Sequence, residues 1–135
     1  MSKQNRRSFI TTTALIGTGL AASALPSLNM KDEKKIIHHV FFWLKNPAFT
    51  KDREALIAGL KTLKKIKTIR DIYIGVPAAT EKRSVIDDSY SVSELIFFDD
   101  LDSQKAYQDD PIHQKFIEDC SHLWEKVVVY DTVNV

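Results

Sequence analysis

The sequence predicts one α+β domain in the order β-α-β-β-α-β, an antiparallel four-stranded sheet with its helices on one face. Three observations carry that prediction. Segments 36–44 and 127–131 are dense in β-branched and aromatic residues, as strands are. Between the first strand and the next, Leu56, Leu60, Leu63 and Ile66 recur at helical spacing. Further on, Asp110-Pro111 obliges a helical stretch to break and restart, because the residue before proline is pushed out of α geometry. At 135 residues the chain is long enough for one domain with a core and too short for two.

A leader precedes the domain. Residues 1–24 hold Lys3, Arg6 and Arg7 and no acid, followed by an uncharged apolar run from Phe9 to Leu25 and a small-x-small site at Ala22-Ser23-Ala24. These features predict a signal peptide over 1–24, a polar tether over 25–35 and a folded domain over 36–135. Asn5-Arg6-Arg7-Ser8-Phe9-Ile10 resembles the twin-arginine signal, which implies delivery to the periplasm. The apolar run is short for a bilayer span, so no stable membrane anchor is expected after cleavage. Of 19 basic and 18 acidic residues, three basic ones fall in the leader; the remainder is slightly acidic and offers no basic face for nucleic acid.

Ile36 to Leu44 is apolar on both faces and reads as a strand covered on both sides, the second by a partner chain or by the chain's own elements. Asn46-Pro47 stops it. Thr50 is the expected cap of a helix with Asp52 and Glu54 in its first turn, and Lys61, Lys64, Lys65 and Lys67 form a solvated face. Ile69 to Val76 is the second strand, closed by Gly75 and Pro77, and residues 78–88 form a charged surface loop. Ser89 to Phe98 is the third strand, with Tyr90, Val92, Ile96 and Phe98 on one side and Leu95 and Phe97 on the other. Glu94 falls among the apolar residues of the first side and needs a partner, for which Lys126 is a candidate. Cap residues from Asp99 to Ser103 start a short helix reaching Tyr107; a second helix runs from Pro111 to about Glu125, and Lys126 to Val135 is the last strand.

This order is the ferredoxin-like plan, and it leaves one sheet face bare. Too much aromatic and aliphatic surface would then meet water, so two copies are expected to pair through their sheet faces as a barrel-like homodimer.

The break at Asp110-Pro111 lets Tyr107 and His113 aim at one space although they are not at helical spacing. A base within reach of an acidic carbon or hydroxyl, beside a phenol that holds a developing oxyanion, is a catalytic pair. Equally, His113 can bond a backbone group or Asp110 while Tyr107 packs with its hydroxyl satisfied. His38, Phe42, Ile96 and Phe98 are the expected lining of a pocket for a small hydrophobic molecule, unless they and Leu44 fill the barrel. His39 points the opposite way from His38 and should meet helices or solvent. His38 and His39 diverge on their strand and no carboxylate sits at chelating spacing to the four histidines, so no metal is expected; no cofactor is expected either. Cys120 lies on the apolar stripe Ile112, Phe116, Cys120, Leu123, where a small buried thiol is the usual outcome.

Three motifs in register resemble the stress-responsive α/β-barrel (Dabb) proteins: His38 followed by Val40, Phe42 and Leu44; Tyr107-x-x-Asp110-Pro111-x-His113-x-x-Phe116; and Leu123-Trp124-Glu125-Lys126-Val127-Val128-Val129-Tyr130-Asp131. The resemblance covers about Ile36 to Val133. It implies a dimeric α+β barrel, for which most members have no assigned activity. A plant polyketide cyclase of this fold closes its substrate by intramolecular aldol condensation without metal or cofactor. The base and the assisting tyrosine of that enzyme would fall on His113 and Tyr107. The chain departs from the family pattern in carrying Asp110 where histidine often precedes the proline, which changes the charge beside the base.

Overall fold

A burial pattern that alternates without exception from Ile36 to Leu44 defines the central strand, β1, whose odd and even residues face opposite sides of the sheet. The computed structural model describes residues 34–135, so the leader and nearly all of the tether lie outside the described residues. Following β1 are α1 (Thr50–Thr62), β2 (Asp71–Gly75), β3 (Val92–Phe98), α2 (Leu101–Asp109), α3 (Pro111–Cys120) and β4 (Trp124–Val133). The sheet is antiparallel throughout in the order β2-β3-β1-β4, which leaves β2 and β4 at its edges. This is the ferredoxin-like arrangement expected from the sequence, with the helices on one face.

The predicted helical stripe packs as expected. Leu56, Leu60, Leu63 and Ile66 are all buried against Val40, Phe42, Leu44, Val92, Ile96 and Phe98, which project from β1 and β3 onto the same side. Phe116 and Cys120 close the core from α3. Gly59 lets α1 approach α3: a Cβ there would collide with Cys120 Sγ and stand 3.2 Å from the Phe116 ring.

Several boundaries differ from the sequence reading. Thr50 is the first helical residue rather than the cap; Phe49 holds that position without a side-chain bond, and its carbonyl accepts from the Asp52 amide at 3.1 Å. β3 begins at Val92, so the alternation stops short of Tyr90. That ring lies against Phe41, at 4.9 Å, on the helix-free side instead of beside Val92. α3 ends at Cys120 rather than near Glu125. A 3-10 turn over Ser121–Leu123 buries Leu123, and β4 starts two residues before Lys126, with Trp124 opposite Leu44.

The helix-free face carries Ile37, His39, Phe41, Trp43, Leu95 and Phe97, each half-buried. Tyr73 and Tyr130 add rings that remain 57% and 59% exposed. The rings of this face touch one another, with His39 and Phe41 4.1 Å apart and Tyr73 and Phe97 6.1 Å apart. Lys126 belongs here too, its ammonium 4.4 Å from the Trp43 ring, and so is no partner for Glu94 on the opposite face.

Candidate functional site

Asp110 organises the junction between α2 and α3. Its extended backbone (ψ 135°) ends α2, and its carboxylate accepts from the Ile112 amide at 2.8 Å to cap α3, with Pro111 in the first turn. The break folds the chain so that the Tyr107 and His113 rings lie 4.5 Å apart. Asp110 is therefore occupied by the cap. His113 turns to the other end of the junction, where its Nδ1–H donates to the Gln108 carbonyl at 3.2 Å. Since a carbonyl only accepts, this bond places the ring proton on Nδ1 and leaves the Nε2 lone pair without a hydrogen-bond partner among the described residues. Burial lowers the His113 pKa; the Gln108 bond raises it, His38 lowers it further, and Asp110 raises it, with a net decrease. The imidazole is accordingly neutral near neutral pH.

Tyr107 is 1% exposed, between Phe98 at 5.2 Å and His38 at 5.7 Å. Its hydroxyl donates to Glu94 Oε1 at 3.3 Å. Burial, with the Glu94 charge and hydrogen bond behind it, raises the phenol pKa further above its ordinary value. Glu94 is also 1% exposed, and burial pushes its carboxyl up to about 8 against the opposing effect of the Tyr107 bond. At neutral pH it is mostly a neutral acid. His38 is 4% exposed, with Nδ1 donating to Asp131 Oδ1 at 2.5 Å directly across the β1–β4 ladder.

All the residues expected to line a pocket are thus on the helix-covered face. His38, Tyr107 and His113 form one cluster with Phe98. Phe42 lies one step away, between Phe116 and Trp124, and Ile96 is fully buried in the same core. None of them faces the space that would lie between two paired sheets. His39 stands on the helix-free face, against Phe41. A separate groove of about 720 Å³ runs between α1 and α3 past Gly59, Thr62, Ile112 and Phe116, and includes neither Tyr107 nor His113. Cys120 at its floor has its thiol pKa raised by burial, which makes it a poor nucleophile.

Both bland contacts foreseen for the junction are present: the histidine bonds a backbone carbonyl and the tyrosine hydroxyl is satisfied. They leave one imidazole nitrogen open beside a phenol. Asp131 had no role assigned from sequence, because only the strand register sets it opposite His38. Glu94 was flagged by its charge, but its partner came from a helix rather than from a neighbouring strand. Among the described residues, no three His, Cys, Asp or Glu side chains converge as a metal site requires, and no helix is long and apolar enough to cross a membrane.

Residues 36–134 match the model of the stress responsive A/B barrel domain. None of the curated proteins matches the sequence. Among solved structures, a Dabb family protein with a ferredoxin-like fold from Mesorhizobium loti is 22% identical, with a TM-score of 0.62 over 76% of this chain and 98% of its own. A dimeric ferredoxin-like protein of unknown function from Thermobifida fusca is 19% identical, with a TM-score of 0.61 over 75% and 92% of the two chains. The hydroxynitrile lyase of Passiflora edulis is 19% identical, with a TM-score of 0.63 over 76% and 95%. At these identities the likeness is one of fold.

Proposed function

The chain belongs to the stress responsive A/B barrel (Dabb) domain family, and on that premise we propose that it works as a homodimer, each copy binding a small, largely apolar molecule at Tyr107 and His113. The molecule carries a hydroxyl group or a carbon made acidic by a neighbouring carbonyl, and His113 acts as the base that takes that proton while Tyr107 steadies the charge left on oxygen. The observation that carries this reading is the neutral His113 ring, its Nδ1–H held by Gln108 and its Nε2 open beside the phenol. The pairing of two copies is supported by the aromatic helix-free face and by relatives described as dimeric.

Native mass spectrometry of protein purified from its source tests the ligand. A retained small molecule, lost in His113→Gln, is the expected result. An empty protein whose His113 resonances ignore a panel of hydroxyl and carbonyl fragments overturns it. Light scattering tests the assembly, and a stable monomer at micromolar concentration rules the homodimer out.

A second reading, a stable interaction module without turnover, is favoured by the near-complete burial of Tyr107, Phe42, Ile96 and Phe98 in the core. It predicts that the same purified protein carries nothing. For the leader we propose export to the periplasm by the twin-arginine route. Changing Arg6 and Arg7 to lysine is expected to stop delivery, and unchanged delivery removes that route.

A further inference from the structure

Glu94 is the residue of this core that packing least explains. It occupies a position on β3 whose neighbours on the same face, Val92 and Ile96, are apolar and fully buried, and whose cross-strand partners are Val40 on β1 and Ile74 on β2. A valine there would complete an apolar layer. Instead a carboxyl group sits under α2 with its Oε1 at 3.3 Å from the Tyr107 hydroxyl. Burying it without a basic partner is costly, and among the described residues no basic side chain is bonded to it.

We propose that Glu94 is a positioning residue for the Tyr107 phenol, its carboxyl deciding whether the hydroxyl proton is offered to a bound molecule or kept inside the protein. The inference rests on the reading of Tyr107 as a ligand-facing group given above. A neutral carboxylic acid both donates and accepts, so its own proton can lie toward the phenol oxygen and free the phenol proton to point elsewhere. An ionised carboxylate only accepts, and more strongly, so it claims the phenol proton for itself. The step involves no transfer of the phenol proton, only its direction.

The other groups facing this pair are few and can be named. From β1, His38 stands 5.7 Å from the Tyr107 ring and is paired with Asp131 of β4. From α3, the His113 ring lies at 4.5 Å. α1 buries Leu56 and Leu60, which do not titrate. Neither histidine bonds the Glu94 carboxyl, so the phenol is the group that feels its charge most directly. Because burial holds the carboxyl neutral up to about pH 8, the change falls just above the neutral range, well away from the ordinary titration of an exposed carboxylate.

The test uses the ligand-free domain with its tyrosine ring carbons labelled, the Tyr107 signal being assigned by its loss in Tyr107→Phe. Between about pH 6 and about pH 10 the Tyr107 signal of the wild type is expected to move in a single step centred near the carboxyl's own transition. Glu94→Gln, which keeps the size and a hydrogen-bonding head but cannot ionise, is expected to abolish that step while leaving the signal in its folded position. Glu94→Val, included in case the amide disturbs packing, should also show no step and a displaced signal. A Tyr107 step that persists unchanged in Glu94→Gln overturns the proposal, as does a wild-type signal that does not move. Since no ligand is needed, a failure of the binding reading, seen as an empty protein in the mass spectrum, is distinguishable from a failure here.

Discussion

On the helix-covered face of the sheet, alternate residues of β1 and β3 are almost wholly buried, yet two of them are His38 and Glu94. On the helix-free face the same two strands carry Ile37, Phe41, Trp43, Leu95 and Phe97, apolar and only half-covered. Burial alone does not select His38 and Glu94 for the covered side, since ionisable groups are normally the outward ones. Each polar group on the covered side has a dedicated partner, Asp131 for His38 and Tyr107 for Glu94, whereas the free side has rings leaning on rings and a lysine over Trp43. One face buries ionisable groups in pairs; the other leaves an aromatic surface half-covered.

Substitutions that exchange the roles of the two faces test the contrast. The largest effect is expected for Leu60→Ala on the covered side, about 2–5 kcal/mol of folding stability by denaturant unfolding. Phe41→Ala on the free side should cost less than half as much when the protein is dilute, with a loss that grows with protein concentration as pairing begins to matter. Equal, concentration-independent losses would erase the distinction.

Glu94 gives the next effect, and its sign follows from the raised pKa. Between about pH 4.5 and about pH 8 the folded chain keeps a proton that the unfolded chain gives up, so this group's contribution to stability falls as pH rises across that window. The fall should reach on the order of 3 kcal/mol by neutral pH. Glu94→Gln should flatten the dependence and be the more stable protein at neutral pH; a pH profile identical to the wild type would sink the claim. Asp110→Ala, which removes the α3 cap, should cost about 1 kcal/mol and change the Tyr107–His113 geometry, read as a shift of the His113 ring signals.

The smallest effect concerns His113. Its lowered pKa means that the folded chain binds this proton less readily than the unfolded one, so the linked stability is present above the ordinary histidine range and is lost as pH falls through it. A proton-resonance titration should place its midpoint below 6.5, and a midpoint above that value would remove the neutral base.

The fold was legible because its signals are local and periodic. Alternation along β1, the leucine stripe of α1 and the Asp110-Pro111 break each appear within a few residues, and each is found where the sequence puts it. The boundaries that moved are those where a tertiary contact outweighs the local pattern, as when Leu123 turns into the core and starts β4 early. For the site, the junction could be read from Asp110-Pro111 alone, and so could the meeting of Tyr107 with His113. The polar partners could not. His38 meets Asp131 across a separation of 93 residues, through a strand register that no short motif encodes. Glu94 lies 13 residues from Tyr107, but their meeting depends on α2 folding back over β3.

The tie between His38 and Asp131 joins the driest part of the molecule to its rim. Asp131 sits on the edge strand β4 with its side chain 54% exposed, while the imidazole it holds is sealed within. Solvent and sealed imidazole therefore stand one hydrogen bond apart, on either side of a single carboxylate.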